Sequence, residues 1–216
     1  MGFLIRLFFI LSFISIRSQD AKRFQTEVEG IQKKYDTLWD SSKETIVFTG
    51  SSSIRTWYDL PYLFPEHQII NTGFGASQAT DLLAYSNELI LNFDPYKVFI
   101  YEGDNDLAAN KKPREILATT QDIIGRIRLR KKKTQIILIA AKPSIVRWSL
   151  KRKYKSLNRK LERLCKNDNL LQFVDVWKPM LNGRKLKKDI FEEDGLHIIE
   201  KGYKIWYAVI KPFVEQ

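Results

Sequence analysis

The chain reads as one three-layer α/β domain, a five-stranded parallel sheet with helices on both faces, and two observations predict it. Short runs rich in β-branched and aromatic residues recur at 46–49, 68–71, 97–101, 135–141 and 170–174. Stretches of helical spacing, ten or more residues long, separate most of them. Strands that alternate with helices of that length pair in parallel through right-handed crossovers, and such a sheet is covered on both faces. Size agrees, since 216 residues with 44% hydrophobic and 12% aromatic content fill one core and exclude a largely disordered chain.

The chain begins MGFLIRLFFILSFISIRSQDA, with an apolar run at 7–16 broken only by Ser12 and Ser15 and flanked by Arg6 and Arg17. Ten residues are too few to span a bilayer, so residues 1–18 are expected to form a secretory signal peptide cleaved near Ser18. A short uncleaved anchor is the alternative, and the lack of a cysteine here argues against a lipoprotein. The expected product is a single domain at 19–216 in a secreted or periplasmic protein.

Within that domain Phe24, Val28, Ile31, Tyr35, Leu38 and Trp39 have helical spacing. The first strand, 46–49, runs into Gly50 and three serines, and Ile54 resumes an apolar pattern, which reads as strand, tight turn, helix. A connection with Pro61 and Pro65 leads to the second strand at 68–71, then a Gly-rich turn and a helix at 77–91. The third strand, 97–101, enters a polar turn, EGDND; Pro113 then opens an amphipathic helix to 129. A fourth strand at 135–141, a helix at 149–166, a fifth strand at 170–174 and a last helix at 202–214 complete the pattern.

The formal charge is +11, and removing the two arginines of 1–18 leaves +9. The excess comes from runs such as RIRLRKKK (126–133), KRKYK (151–155) and RKLKK (184–188). These suit electrostatic association with anionic surfaces, while no RNA-binding or helix-turn-helix signature accompanies them, so no nucleic-acid partner is expected. Cys165 is the sole cysteine; it makes no internal disulfide and reads as a small buried apolar group.

In such a fold chemistry belongs to the loops that leave the strands' carboxyl ends, here 50–53, 72–77, 102–107, 142–148 and the stretch from 177 onward. A serine on the first of these, at a strand-to-helix turn, exposes its hydroxyl near converging backbone N–H groups. The last contains EEDGLHIIEKGY, where Asp194 and His197 stand three apart, close enough for the carboxylate to hold one ring nitrogen while the other faces the site. The chain has two histidines, and His67, between Pro65 and the second strand, is expected at the opposite edge of the sheet. His197 is therefore the expected base. Asp104 and Asp106 flank Asn105 and invite a metal reading, but two carboxylates without further ligands suit a turn equally well, and no metal or cofactor is expected.

The blocks GSSS, NTGFGAS, GDND and DGLH, in that order from Gly50 to His197, resemble the SGNH hydrolases, also called GDSL-type esterases. The resemblance covers essentially all of 19–216 and implies a flavodoxin-like sandwich. It implies Ser52 as nucleophile, Asp194 and His197 as its partners, and an oxyanion hole from the N–H groups of Ser52 and Ala76 or Gly75 and the amide of Asn105. Two departures from the family pattern stand out. Ser51 replaces the acidic residue beside the nucleophile, and Ala76 stands where the oxyanion glycine is usual, with Gly75 one place earlier. An alanine keeps the N–H, but a positive φ there would cost about 1 to 3 kcal/mol.

The expected activity is hydrolysis of carboxylic esters through an acyl-enzyme. No insertion between core elements is long enough for a lid, so a small-molecule or glycan ester with a short acyl group such as acetyl is the expected substrate. Lys142, Arg147 and Trp148 are candidate substrate contacts, a cation and an aromatic suiting a sugar or an anionic group. The alternatives are a lysophospholipase or other lipid esterase, and a catalytically weak binding protein on the same fold.

Overall fold

Ile46, Val47 and Phe48 are all 0% exposed, and a strand with no exposed side chain on either face needs helices on both. The computed structural model, which describes residues 21–216, supplies them. The strands are β1 (Thr45–Gly50), β2 (Gln68–Gly73), β3 (Lys97–Tyr101), β4 (Gln135–Ile139) and β5 (Leu171–Val174), all parallel in the order β2-β1-β3-β4-β5. A short antiparallel hairpin, β6 (Leu181–Asn182) with β7 (Lys185–Leu186), follows. The helices are α1 (Gln25–Leu38), α2 (Ser52–Arg55), α3 (Ala79–Ala84), α4 (Ser86–Leu89), α5 (Asp104–Ala108), α6 (Pro113–Arg130), α7 (Lys151–Cys165) and α8 (Glu200–Glu215).

Strand side chains alternate faces, so each strand feeds two cores. Val47, Ile70, Val98, Ile100, Ile136 and Leu138 pack with Val28 and Tyr35 of α1, Leu82 of α3, Ile116 and Ile123 of α6 and Leu157 of α7. Ile46, Phe48, Phe99, Ile137 and Ile139 pack on the other face with Trp57, Leu60, and Trp206 and Ile210 of α8. Phe48 and Phe99 stack at 4.2 Å across β1 and β3. Among the described residues no helix is long and apolar enough to cross a membrane. The expected leader, 1–18, lies outside the described residues.

Two elements depart from the sequence pattern. The helix expected at 77–91 is divided into α3 and α4 at Tyr85. Arg126 donates to the Leu83 carbonyl at 2.8 Å and Ser86 Oγ donates to it at 3.0 Å, which withdraws that carbonyl from the helical ladder. The polar turn after β3 contains a helix, α5, and the hairpin β6–β7 was not expected at all.

The strand order places a switch point between β1 and β3. The chain leaves β1 toward β2 on one side and leaves β3 toward β4 on the other, which opens a crevice at their carboxyl ends. Ser52 follows β1 and Asn105 follows β3.

Candidate active site

β1 ends at Gly50 with φ of 116°, and a Cβ there would lie 2.0 Å from the Tyr101 carbonyl oxygen, so only glycine lets the chain turn so close to β3. The Ser51 N–H then donates to Tyr101 O at 3.0 Å, and Ser52 becomes the first residue of α2. Its Oγ lies 3.0 Å from Nε2 of His197, whose Nδ1 lies 2.5 Å from Oδ2 of Asp194. The other oxygen of Asp194 accepts from the N–H groups of Leu196 (2.8 Å) and His197 (2.9 Å). Burial works against ionisation of Asp194, but the Leu196 N–H, the His197 ring and the His197 N–H outweigh it and hold the pKa at about 2. An ionised Asp194 can only accept, so Nδ1–H donates to it and Nε2 is left as the acceptor facing Ser52 Oγ. The second histidine is far from this group: His67 N–H donates to Phe64 O just before β2, at the amino edge of the sheet.

The loop carrying Asp194 and His197 is tied to its surroundings at each residue. Gly195 has φ of 63° and its carbonyl accepts from Ile145 N–H at 2.8 Å; His197 O accepts from Glu192 N–H at 2.8 Å. Lys142 Nζ donates to Leu196 O at 2.6 Å.

Three donors belong to the segments that follow β1, β2 and β3. Neither the Ser52 nor the Ala76 N–H has an acceptor among the described residues, whereas the Gly75 N–H donates to Glu27 Oε1 of α1 at 3.0 Å. Of the two candidates in the second loop, Ala76 thus has the available N–H and Gly75 does not. Ala76 is held at φ of 54°, the left-handed conformation that disfavours a Cβ. The third donor is Asn105 Nδ2, which donates to Ser51 Oγ at 2.7 Å and Ser77 O at 2.9 Å. Ser51 therefore accepts a hydrogen from Asn105 where the family pattern would put a carboxylate.

Asn105 is braced from behind. Its Oδ1 accepts from Arg147 at 3.0 Å, and the same guanidinium donates to Asp104 Oδ1 at 2.7 Å. Asp104 is 5% exposed and also accepts from the hydroxyls of Tyr101 and Tyr154, with Lys142 Nζ 3.7 Å away. Burial would raise the Asp104 pKa, but Lys142 and Arg147 overcome it and keep the carboxyl below its usual range. The expectation of Lys142 as a substrate contact is corrected accordingly, because Lys142 is 0% exposed and serves the scaffold. The Arg147 guanidinium, partly exposed, is engaged by Asp104 and Asn105. Trp148 stacks on Trp177 at 6.0 Å. Asp106 accepts from Ala79 N–H and Lys111, a structural use of the second acidic residue in the turn.

Beside His197 opens a hollow of about 580 Å³ lined by Thr56, Tyr58 and Tyr203 and by Asp59, Glu192, Asp194 and Glu200, with no lysine or arginine in its wall among the described residues.

A profile of the GDSL-like lipase/acylhydrolase family matches residues 40–205, a span that contains every residue of this constellation except Glu27. The chain belongs to the GDSL-like lipase/acylhydrolase family. It is, by that membership, an ester hydrolase. No curated protein matches it. Among solved structures this hydrolase is similar to a GDSL-like lipase from Bacteroides thetaiotaomicron, at 25% identity and TM-score 0.71, covering 91% of this chain and 97% of that one. It is similar also to a protein described as an acylhydrolase from Bacteroides fragilis, at 22% identity and TM-score 0.74 over 91% and 97%. A carbohydrate esterase of family 3 from Talaromyces cellulolyticus shares the fold at 14% identity and TM-score 0.63, over 80% and 97%.

Sequence reasoning missed two parts of this GDSL-family site and misread the direction of a third. Glu27 sits on a helix with nothing to mark it, and Tyr154 reads as one more apolar position of α7. Lys142 carried a signal that went unread: a lysine three residues after a buried strand, behind two alanines, has little room to reach solvent.

Proposed function

We propose that this ester hydrolase works through an acyl-enzyme on Ser52 and removes short acyl groups, acetyl first among them, from carbohydrate or small alcohols. The observation that carries the reading is the unbroken chain Ser52 Oγ, His197, Asp194, with bonds of 3.0 and 2.5 Å, beside the unengaged N–H groups of Ser52 and Ala76. His197 takes the Ser52 proton at Nε2 as Oγ bonds to the ester carbonyl carbon, and Asp194 stabilises the imidazolium. The carbonyl oxygen, now negative, accepts from the N–H groups of Ser52 and Ala76 and from Asn105, whose hydrogen leaves Ser51 Oγ for it. Each such donor is worth about 10²- to 10³-fold in rate. The tetrahedral species collapses, the carbon–oxygen bond to the alcohol breaks, and His197 returns the proton to the leaving alkoxide. Water, deprotonated by His197, then releases the acid and restores Ser52.

Two observations support a short acyl group on a polar alcohol. The hollow beside His197 is lined by the segment after α2, the approach to α8 and its first turn, and carries four carboxylates, which suits hydroxyl-rich groups and repels anionic ones. The apolar run at 7–16 supports export, and with it a substrate in the periplasm or outside the cell.

Labelling with a fluorophosphonate, followed by mass identification of the modified peptide, tests the proposal. The adduct is expected on Ser52. A protein that is not labelled, or is labelled at another serine, would overturn it.

A further inference from the structure

Ala76, at φ of 54°, stands between two neighbours that are tied in different directions. On one side the Gly75 N–H donates to Oε1 of Glu27 at 3.0 Å; on the other, Ser77 Oγ donates to Glu102 at 2.7 Å and the Ser77 carbonyl accepts from Asn105 at 2.9 Å. Glu27 is itself on an anchored helix. Tyr35 of α1 accepts from the Asn71 N–H of β2 at 2.9 Å and donates to the Asn71 carbonyl at 3.1 Å, and Phe24, just before α1, meets Phe74 edge-on at 5.0 Å. The Glu27 oxygen that holds Gly75 also accepts from Arg55 Nη1 at 3.4 Å, and a Cβ on Gly75 would lie 2.8 Å from that same Nη1. One side chain of α1 thus grips both the loop of Ala76 and the helix that begins at Ser52. Glu27 lies outside the 40–205 span that the family profile matches.

We infer that Glu27 is a positioning residue of this esterase, holding Ala76 in the left-handed conformation that presents its N–H to the oxyanion. The inference rests on the acyl-enzyme reading above. An alanine without support leaves the left-handed region for an ordinary one, because its Cβ crowds the following carbonyl there, whereas a glycine has no such reason to leave. With Ser77 fixed downstream, a change of φ at Ala76 turns the Gly75–Ala76 peptide plane, and the N–H turns with it. Glu27 opposes that turn by fixing the chain on the far side of the plane. Its bond to the Gly75 N–H is charge-assisted and strong for its kind, while the pair with Arg55, whose side chain is 48% exposed, contributes little. The hydrogen bond is therefore the part of the grip that acts.

The test reads variants of the full-length protein by steady-state kinetics on p-nitrophenyl acetate and by nuclear magnetic resonance. Glu27→Ala should lower kcat about tenfold or more with KM changed less than about twofold, as loss of an interaction made in the transition state does. Glu27→Gln keeps an acceptor for the Gly75 N–H and should hold kcat within about threefold of the wild type. In an Ala76→Gly background the left-handed conformation needs less support, so Glu27→Ala should cost about fivefold less there than in the wild type. Glu27→Ala should also lose the strong Overhauser contact between N–H and Hα of Ala76 that a positive φ produces. Equal losses of kcat in the alanine and glycine backgrounds would overturn the inference. So would a Gln variant as impaired as the Ala variant, or an Ala76 that keeps its positive φ without Glu27. No turnover by the wild type, with the Ala76 signal still dependent on Glu27, would count against the esterase mechanism and leave the positioning role standing.

Discussion

The ammonium of Lys142 donates to the carbonyl of Leu196 at 2.6 Å, one residue before His197, and lies 3.7 Å from Asp104, one residue before Asn105. One buried cation therefore joins the loop of His197 to the loop of Asn105. Lys142→Met should lower stability by about 3 to 5 kcal/mol, because it leaves Asp104 and the Leu196 carbonyl short of a partner. Activity on p-nitrophenyl acetate should fall through kcat more than through KM. Urea unfolding and steady-state kinetics check both, and Lys142→Met with Asp104→Asn should cost less than the two single losses added together.

Asn105→Ala should lower kcat about 10²- to 10³-fold on the same ester, as loss of one oxyanion donor does. Ser51→Ala should cost less than tenfold, since Ser51 Oγ only receives the hydrogen that Asn105 gives to the oxyanion. Equal effects of the two substitutions would mean that Ser51 acts on the substrate itself.

Glu102 makes stability depend on pH. It is 5% exposed, Ser77 Oγ donates to its Oε1 at 2.7 Å, and its Oε2 has no partner among the described residues. Burial first, then Asp106 and Asp81, push its pKa well above the usual glutamate value. The folded protein thus holds a proton that the unfolded chain releases, and stability falls as pH rises past the unfolded value toward the folded one. Glu102→Gln should match the wild type at the acid end of that window and gain over it by up to about 1.4 kcal/mol per pH unit above. Urea midpoints from pH 5 to 8 measure it; a gain that does not grow with pH would refute the assignment.

Ala76→Gly should be tolerated. Glycine relieves the left-handed conformation at φ of 54°, a gain of about 1 kcal/mol that its greater freedom in the unfolded chain partly offsets. The N–H is kept, so kcat should stay within about twofold, and thermal unfolding should show an equal or higher midpoint.

Chain-length dependence separates a short-acyl site from a deep acyl channel. A deep acyl channel would gain about 0.8 kcal/mol, or roughly fourfold in kcat/KM, per added CH₂. Across p-nitrophenyl esters from acetate to decanoate, kcat/KM is expected to peak at two to four carbons. A maximum at eight or more would point to a lipid substrate.

The sheet was legible because its strands are buried on both faces and their apolar runs are unbroken, as in KVFIY and QIILI. Ser52, Asn105, Asp194 and His197 were legible because each sits in a short block at the end of a strand or the approach to a helix. The division of α3 from α4 was not, since it depends on Arg126 reaching the Leu83 carbonyl from 43 residues away. Nor were the inward directions of Lys142 and Arg147, which are decided by a buried carboxylate that sequence alone shows as one acid of a polar turn.

The two N–H groups left unengaged in the resting protein, those of Ser52 and Ala76, belong to the main chain. A survey of side-chain substitutions would pass over Ala76 entirely, because every replacement except proline keeps its N–H. Such a survey would rank Asn105 as the sole oxyanion donor outside Ser52 and undercount the machinery. Replacing the amide at Ala76 by an ester, through semisynthesis, would delete the donor while keeping the side chain. The contribution of that position is thus written in the backbone's conformation, and genetic variation at Ala76 itself can reach it only through glycine or proline.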